Sequence, residues 1–513
     1  MPKEHEKMSP RAENALLIFY IIVLSFPFIF GSNGFLMIYY YFKYRKKQVA
    51  RKGELKDFPV VTIQLPVYNE LYVVNRAVDA ICALDYPKDK IEVQVLDDSN
   101  DETTSILAQK VSEKAGEGFD IKHIRRGNRQ GYKAGALKYG LAQARGEYVA
   151  IFDADFIPRP DFLKKTLPYF ADAKVGLVQT RWEHINSDYS LLTRAQAIAL
   201  DGHFVIEQQV RNKAGFFINF NGTAGVWRRS CIEDAGNWEA DTLAEDLDLS
   251  YRAQLKGWQF VFMKEYTSPA ELPADVNSLR TQQFRWTKGA IEASKKLLPR
   301  VWKSKLPLRV KMHSTIHLSA SMAYPFVLLI GILQVPIVYI KHGGEYDATF
   351  MMMSGFIFAF FGSFMFYLYS QKDVYKDWRR RIYLFPVFMA GSMGLSVSNT
   401  KAVIEGLMNR KSEFVRTPKY GVTGKQGSWA DKKYTQRKIN WVSIAEFVLA
   451  LYCLVGIIMS IVDLEIAAIP FQLLYFTGFG TISFLSVKQA ILARKRAVRF
   501  VPKTEPVIQD IGK

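Results

Sequence analysis

Asp153 and Asp155 lie one residue apart at the end of a short apolar run, in the segment EYVAIFDADFIP over 147–158. Two carboxylates so spaced make a site for a hard cation, and Mg²⁺ or Mn²⁺ commonly completes its shell with substrate phosphates. A nucleoside diphosphate is the natural co-ligand. Taken alone, the motif reads first as a pair of solvated turn acids before Pro158, and only the rest of the chain reverses that reading. Lys133 offers an ammonium at a helix start, where phosphate is also favoured, or is an ordinary surface lysine. In TLAEDLDLSYR, Thr242 and Glu245 fit a capping box. That leaves Asp246 free to take a proton from an attacking hydroxyl, and neighbours about 100° apart on a helix predict that only one of the two acids faces the cleft. Gln282 and Arg285 share a helix face, and Trp286 beside them offers a flat surface for a sugar ring or an anchor at a membrane surface. The small-residue loop FNGTAGVWRRS, from Phe220 through Gly222 and Thr223, admits a ligand close to backbone.

These residues need elements to position them. From Pro59 onward, short apolar runs alternate with helical patterns, the mark of βαβ units. Strands are expected at 60–65, 91–96, 119–124, 148–152 and 175–179, and helices up to 84 and over 101–114, 132–144 and 187–211. Acids then recur at strand ends: Glu70 after the first, Asp97 and Asp98 after the second, Asp153 and Asp155 after the central one. Open α/β sheets bind ligands along that rim. Like charges gathered there repel unless something cationic lies among them.

A chain of 513 residues exceeds one compact core. Apolar stretches over 15–42, 313–340, 348–370, 441–462 and 467–487 each approach or exceed the roughly 20 residues that cross a bilayer. The first is too long for a signal-peptide core and is read as a retained anchor. The formal charge of +19 follows the spans: Lys43, Arg45, Lys46, Lys47, Arg51 and Lys52 after the first, Arg379 to Arg381 after the third, Arg494, Lys495, Arg496 and Arg499 after the last. That is the positive-inside pattern, which predicts a cytoplasmic segment over 43–312 and excludes nucleic acid as the partner of this charge. Cys82, Cys231 and Cys453 match no metal-ligand spacing and no disulfide framework.

With these pieces in order, the sequence resembles glycosyltransferase family 2, the inverting membrane enzymes that include cellulose, chitin and hyaluronan synthases. Asp97-Asp98, Asp153-x-Asp155, Glu245-Asp246 and Gln282-x-x-Arg285-Trp286 carry the match in the family's order. QVLDDS, NRQGYKAGALK, LVQTRW and EDLDLSYRAQLKGW are similar to the plant cellulose-synthase-like group that makes mannan and glucan backbones, and to its bacterial relatives. The resemblance implies that Asp97 and Asp98 contact the nucleoside and Lys133 the diphosphate, and that Asp153 and Asp155 hold the metal. It makes Asp246 the general base beside Glu245, gives Gln282 and Arg285 the pyrophosphate, and places Trp286 with Phe220, Gly222 and Thr223 toward the acceptor. FVRTPKYG over 414–421 is similar to the family's gating loop, with Phe414, Thr417 and Lys419 matching and Arg416 in the place of valine. Thr417 and Lys419 would then close on the donor.

The expected fold is α/β plus transmembrane α: a GT-A type, Rossmann-like catalytic domain over 58–300, inserted between an N-terminal anchor (1–57), interface helices with two spans and the gating loop (301–440), and two further spans with a basic tail (441–513). Five spans are predicted, with 383–399 in-plane or re-entrant so that the basic loop after it stays on the cytoplasmic side. No regulatory domain is expected outside the spans. The expected protein is integral to a bacterial inner or plasma membrane, surrounded by lipid, with UDP-glucose or GDP-mannose as donor, a glycan acceptor and Mg²⁺ or Mn²⁺. A single-addition transferase of the ceramide type is the alternative, and a non-catalytic scaffold would have lost motif acids.

Overall fold

The computed structural model describes residues 8–47, 57–436 and 438–499, with side chains up to 494. Arg51 and Lys52 of the first basic run fall outside the described residues, as do the side chains of Lys495, Arg496 and Arg499.

Seven strands form one sheet: β1 Val61–Val67, β2 Ile91–Asp97, β3 Ile121–Arg125, β4 Tyr148–Ile151, β5 Val175–His184, β6 Gly225–Arg228 and β7 Gln259–Ala270. The order is β3-β2-β1-β4-β6-β5-β7. β1 pairs in parallel with both β2 and β4, whereas β6 runs antiparallel to its neighbours β4 and β5. β1 and β2 are buried along nearly their whole length, although VTIQLPV and IEVQVLD alternate apolar residues with threonine, glutamine and glutamate. The glutamines in those runs face each other: Gln64 donates to Gln94 at 3.0 Å.

Two strands escape the sequence reading. β6 lies inside the small-residue segment taken as loop, where GVWR is four residues long, and β7 lies in QFVFMKEYTSPA, whose charges break the apolar run. The helix expected over 187–211 runs as Leu191–Asp201, a π-helical stretch Gly202–Gln208, and Gln209–Ala214. Across it, Gly202 meets the rings of Phe366 and Tyr367, where a Cβ would come within 2.5 Å.

Among the described residues five helices have the length and hydropathy of membrane spans: Pro10–Tyr44, Leu308–His342, Asp347–Val374, Trp441–Val462 and Ile466–Arg494. A sixth crossing exists if Trp378–Gly394 and Ser396–Leu407, bent by 46° at their junction, count as one. This is the architecture of an integral membrane protein. Helix Val276–Lys303 ties the sheet domain to the spans, since Arg280 pairs with Glu446 at 2.7 Å and Val276 N–H donates to Gln489 at 3.0 Å.

Candidate active site

β4 ends in the cleft. Asp153 follows it, and its backbone N–H donates to Thr223 Oγ1 at 2.8 Å, which fixes where the carboxylate leaves the sheet. Lys133, from helix Tyr132–Leu141, donates to Asp153 Oδ1 at 2.5 Å and to the Gly222 carbonyl at 2.9 Å. Burial alone would lower the lysine, but Asp153, Glu245 and Asp246 together hold its ammonium above the usual range. Asp155 accepts from Lys419 Nζ at 2.7 Å, and the same ammonium donates to the Glu271 carbonyl at 2.8 Å. Gly222 has φ +79°, and a Cβ there would stand 3.1 Å from Asp246 Oδ2 and 3.4 Å from Lys133 Nζ. Glycine is required at that point both for its backbone and for the space between Asp246 and Lys133.

Helix Glu245–Leu255 starts without the expected capping box: Ala244 is the cap residue, no side chain caps it, and Thr242 Oγ1 is buried without a hydrogen-bond partner. Acids in its first turn favour the helix dipole instead, and Gly289 of helix Val276–Lys303 presses on Leu243 and Ala244, where a Cβ would meet backbone at 2.8 Å. Gln282, Arg285 and Trp286 of that helix line the cleft together with Asp246. Both Glu245 and Asp246 line the cleft, so the expectation that only one faces it is corrected. Burial, and then the charge of Glu245, push the Asp246 carboxyl up to about 7. Arg285 sits with its guanidinium 4.5 Å over the Phe414 ring, its Nε buried without a hydrogen-bond partner, in the field of Glu245, Asp153 and Asp246.

The segment 414–421 lies across this cleft. Phe414 stacks on Tyr132 at 5.7 Å, and Arg416, Thr417 and Lys419 line the opening. Glu271, just past β7, accepts the backbone N–H of Tyr420 and of Gly421, both at 2.9 Å. Glu271 was not singled out in the sequence. It obeys the same rule of acids at strand ends, and the unrecognised β7 hid it. Arg129, over the Tyr68 ring at 3.4 Å, is a second lining residue whose partner only the fold reveals.

Not every expected residue reaches the cleft. Asp97 has a fully buried side chain, bonded to His123 at 2.9 Å and to Ser99 N–H at 2.9 Å. Burial would raise it, but those bonds bring it below the usual carboxylate range. It braces the loop while its neighbour Asp98, paired with Arg126, lines the cleft. Phe220 is wholly buried against Trp227 and Trp238 and has no surface to offer an acceptor. Thr223 is wholly buried and serves Asp153. Seven acids and five lysines or arginines line the cleft, an excess of negative charge that suits a divalent cation at the D-x-D acids.

The comparisons with known proteins accord with this geometry. Residues 59–289 match the family model described as "Glycosyltransferase like family 2". That segment is a domain of this family. The chain is 44% identical over 266 residues to "Probable glucomannan 4-beta-mannosyltransferase 11" of Oryza sativa subsp. japonica, a match covering 51% of this chain and 46% of the relative. It is 42% identical over 270 residues to "Glucomannan 4-beta-mannosyltransferase 2" of Arabidopsis thaliana, covering 51% of each. The chain thus spans about half the length of the curated relatives it matches. A mannosyltransferase from Pyrobaculum calidifontis, solved in complex with GDP-Man and Mn²⁺, superposes with a TM-score of 0.55 at 20% identity, over 77% of this chain and all of that one. It shares the fold of the family 2 domain, a GT-A-like mixed sheet.

Proposed function

We propose that the chain moves a hexose from a nucleoside-diphosphate sugar, GDP-mannose in preference to UDP-glucose, onto a growing β-glycan of the mannan or glucomannan type, with inversion at the anomeric carbon. The observation that carries this reading is a half-buried acid, Asp246, pushed to about 7 in one cleft with Lys133, Arg285 and the two D-x-D carboxylates. A general base works best with its pKa near the working pH. The names of the relatives favour mannose.

In this mechanism the acceptor hydroxyl oxygen attacks the anomeric carbon while the bond from that carbon to the diphosphate oxygen breaks. The diphosphate leaves with the bonding electrons, and Asp246 takes the hydroxyl proton. Arg285, Gln282 and Lys133 face the phosphate oxygens as charge develops there, the part of such a reaction where fixed donors are worth most. Asp153 and Asp155 would hold Mg²⁺ or Mn²⁺, which when bound supplies charge neutralisation on the departing diphosphate. Trp286 offers its face to the acceptor sugar, and Thr417 and Lys419 reach the donor from the loop side. The basic residues after the spans support a cytoplasmic catalytic domain, with the product passing outward between the helices.

Purified protein in detergent, given GDP-mannose or UDP-glucose with Mg²⁺ or Mn²⁺, is expected to release GDP and form a polymer that β-mannanase degrades. A glycolipid that partitions into organic solvent, with no polymer, would replace the synthase reading by single addition to lipid.

A further inference from the structure

Arg416 stands where the resembled family has valine, and in the structure it clasps one acid. Its Nε donates to Glu70 Oε1 at 2.6 Å, a second nitrogen pairs with Glu70 Oε2, and a third bond goes to the Asn69 carbonyl. Asn69 is also fixed independently of Arg416, at φ +55° with its N–H donating to Ser99 Oγ at 2.8 Å. The loop after β1 is therefore a fixed post to which the segment 414–421 is tied.

Two further observations concern what else Arg416 answers to. It lines the cleft with Arg285, Thr417 and Lys419. Its charge also adds to burial in holding the Arg285 guanidinium below its ordinary value, so the two cations feel each other. Cations that converge in a partly desolvated cleft suit a multiply charged anion, and a planar guanidinium suits phosphate oxygens in particular. Glu70 meets that need with a single charge. Burial pushes its carboxyl up to about 7 although Arg416 opposes this, with smaller effects from Asp155 and Lys419. A largely desolvated pair of this kind gains little over its desolvation cost.

Resting on the reading of the cleft as a nucleotide-sugar site, we propose that Arg416 is a further donor-binding residue of this chain: Glu70 holds it before the donor enters, and the diphosphate takes it over. Valine at this position has no charge to hand over, so the exchange distinguishes this chain from the family pattern. It also makes Glu70 a competitor of the donor, which fixes opposite signs for the two substitutions.

The test is equilibrium binding of GDP and, in parallel, UDP to the full chain in detergent. Arg416→Val is expected to weaken binding roughly tenfold or more, the loss of one charge-assisted phosphate contact. Glu70→Gln is expected to tighten it several-fold, because the competing charge is gone. Arg416→Lys should recover only part of the loss, since an ammonium lacks the fork. A pair that merely staples the loop makes both substitutions weaken binding, or leaves binding untouched in both, and either result overturns the exchange. Wild-type protein that binds neither GDP nor UDP overturns the nucleotide reading itself and the exchange with it. Each variant is first checked for monodisperse elution and a wild-type thermal midpoint. If Glu70→Gln fails that check, Glu70→Asp, whose shorter side chain spoils the fork, carries the same expected sign.

Discussion

The two walls of the cleft are built differently. One wall is sheet and helix: Asp153 follows a buried strand, Gly222 leaves room between Lys133 and Asp246, and Gly289 locks the helix bearing Arg285 against the helix bearing Asp246. The other wall is the segment 414–421, which has no helix or strand and is held by Arg416 on Glu70, Lys419 on Asp155, and two backbone N–H groups on Glu271. The first kind of wall can fix reacting atoms to fractions of an ångström. The second is held in part by charge pairs that a ligand can replace. On the proposed function, admitting a donor and expelling a diphosphate at every turn needs both.

Substitutions in the fixed wall test its half of the comparison and should have the largest effects. Asp246→Asn keeps the shape but cannot accept a proton, so transfer should fall by about 10² to 10⁴ with donor binding nearly unchanged. Single-turnover rates and GDP affinity, measured on the same preparation, separate the two quantities. A variant that still transfers at close to the wild-type rate would remove Asp246 as base. Arg285→Met comes next, with a loss of about 10² to 10³ in the chemical step, the range seen when one fixed donor to a developing anion is removed. The two losses should differ in kind, since Arg285→Met also weakens GDP binding.

How far the sequence alone leads follows the same division. The fixed wall was legible because strand ends and helix starts announce themselves: β1, β2 and β4 are apolar runs stopped by acids, and Asp98, Asp153, Asp155, Glu245 and Asp246 all line the cleft. Where reading failed, tertiary packing had overruled a local rule. Thr242 and Glu245 have the spacing of a capping box, yet the pressure of Gly289 on Leu243 and Ala244 shapes the turn and leaves the threonine hydroxyl without a partner. Phe220 and Thr223 belong to a small-residue segment that suggested open space, but β6 zips that segment into the sheet between β4 and β5. Asp97 closes β2 and turns inward to His123 and Ser99, while Asp98, the residue after the strand, lines the cleft. The loop wall was legible only as a motif. No spacing rule pairs Arg416 with Glu70 across 346 positions of sequence.

The loop wall should yield smaller, differently signed effects. Thr417→Ala with Lys419→Ala is expected to lower turnover about tenfold, the loss of contacts made to the diphosphate when the loop is closed. The protein should stay folded, because neither side chain supports the sheet. Cysteine labelling across 414–421 in sealed vesicles provides a second check. Labelling from the outer side would place this segment, and the cleft it covers, on the opposite side of the membrane from the one proposed.

The smallest expected change is also the one that isolates electrostatics. Asp246 must be ionised to accept a proton, and burial with the neighbouring charge of Glu245 holds its carboxyl at about 7, well above the usual carboxylate value. Transfer should therefore rise as pH passes upward through about 7 and level off above it. Glu245→Gln removes the nearby negative charge and leaves the helix start uncharged at that position but similar in shape. With less repulsion the Asp246 carboxylate is easier to form, so the acid limb of the profile should move to lower pH. On the plateau the variant should stay within a few-fold of wild type, because Glu245 does not take the proton. The measurement is a pH profile of single-turnover rates for both proteins. A limb that stays in place means the two carboxylates do not feel each other, and a dead Glu245→Gln beside an active Asp246→Asn moves the base by one residue.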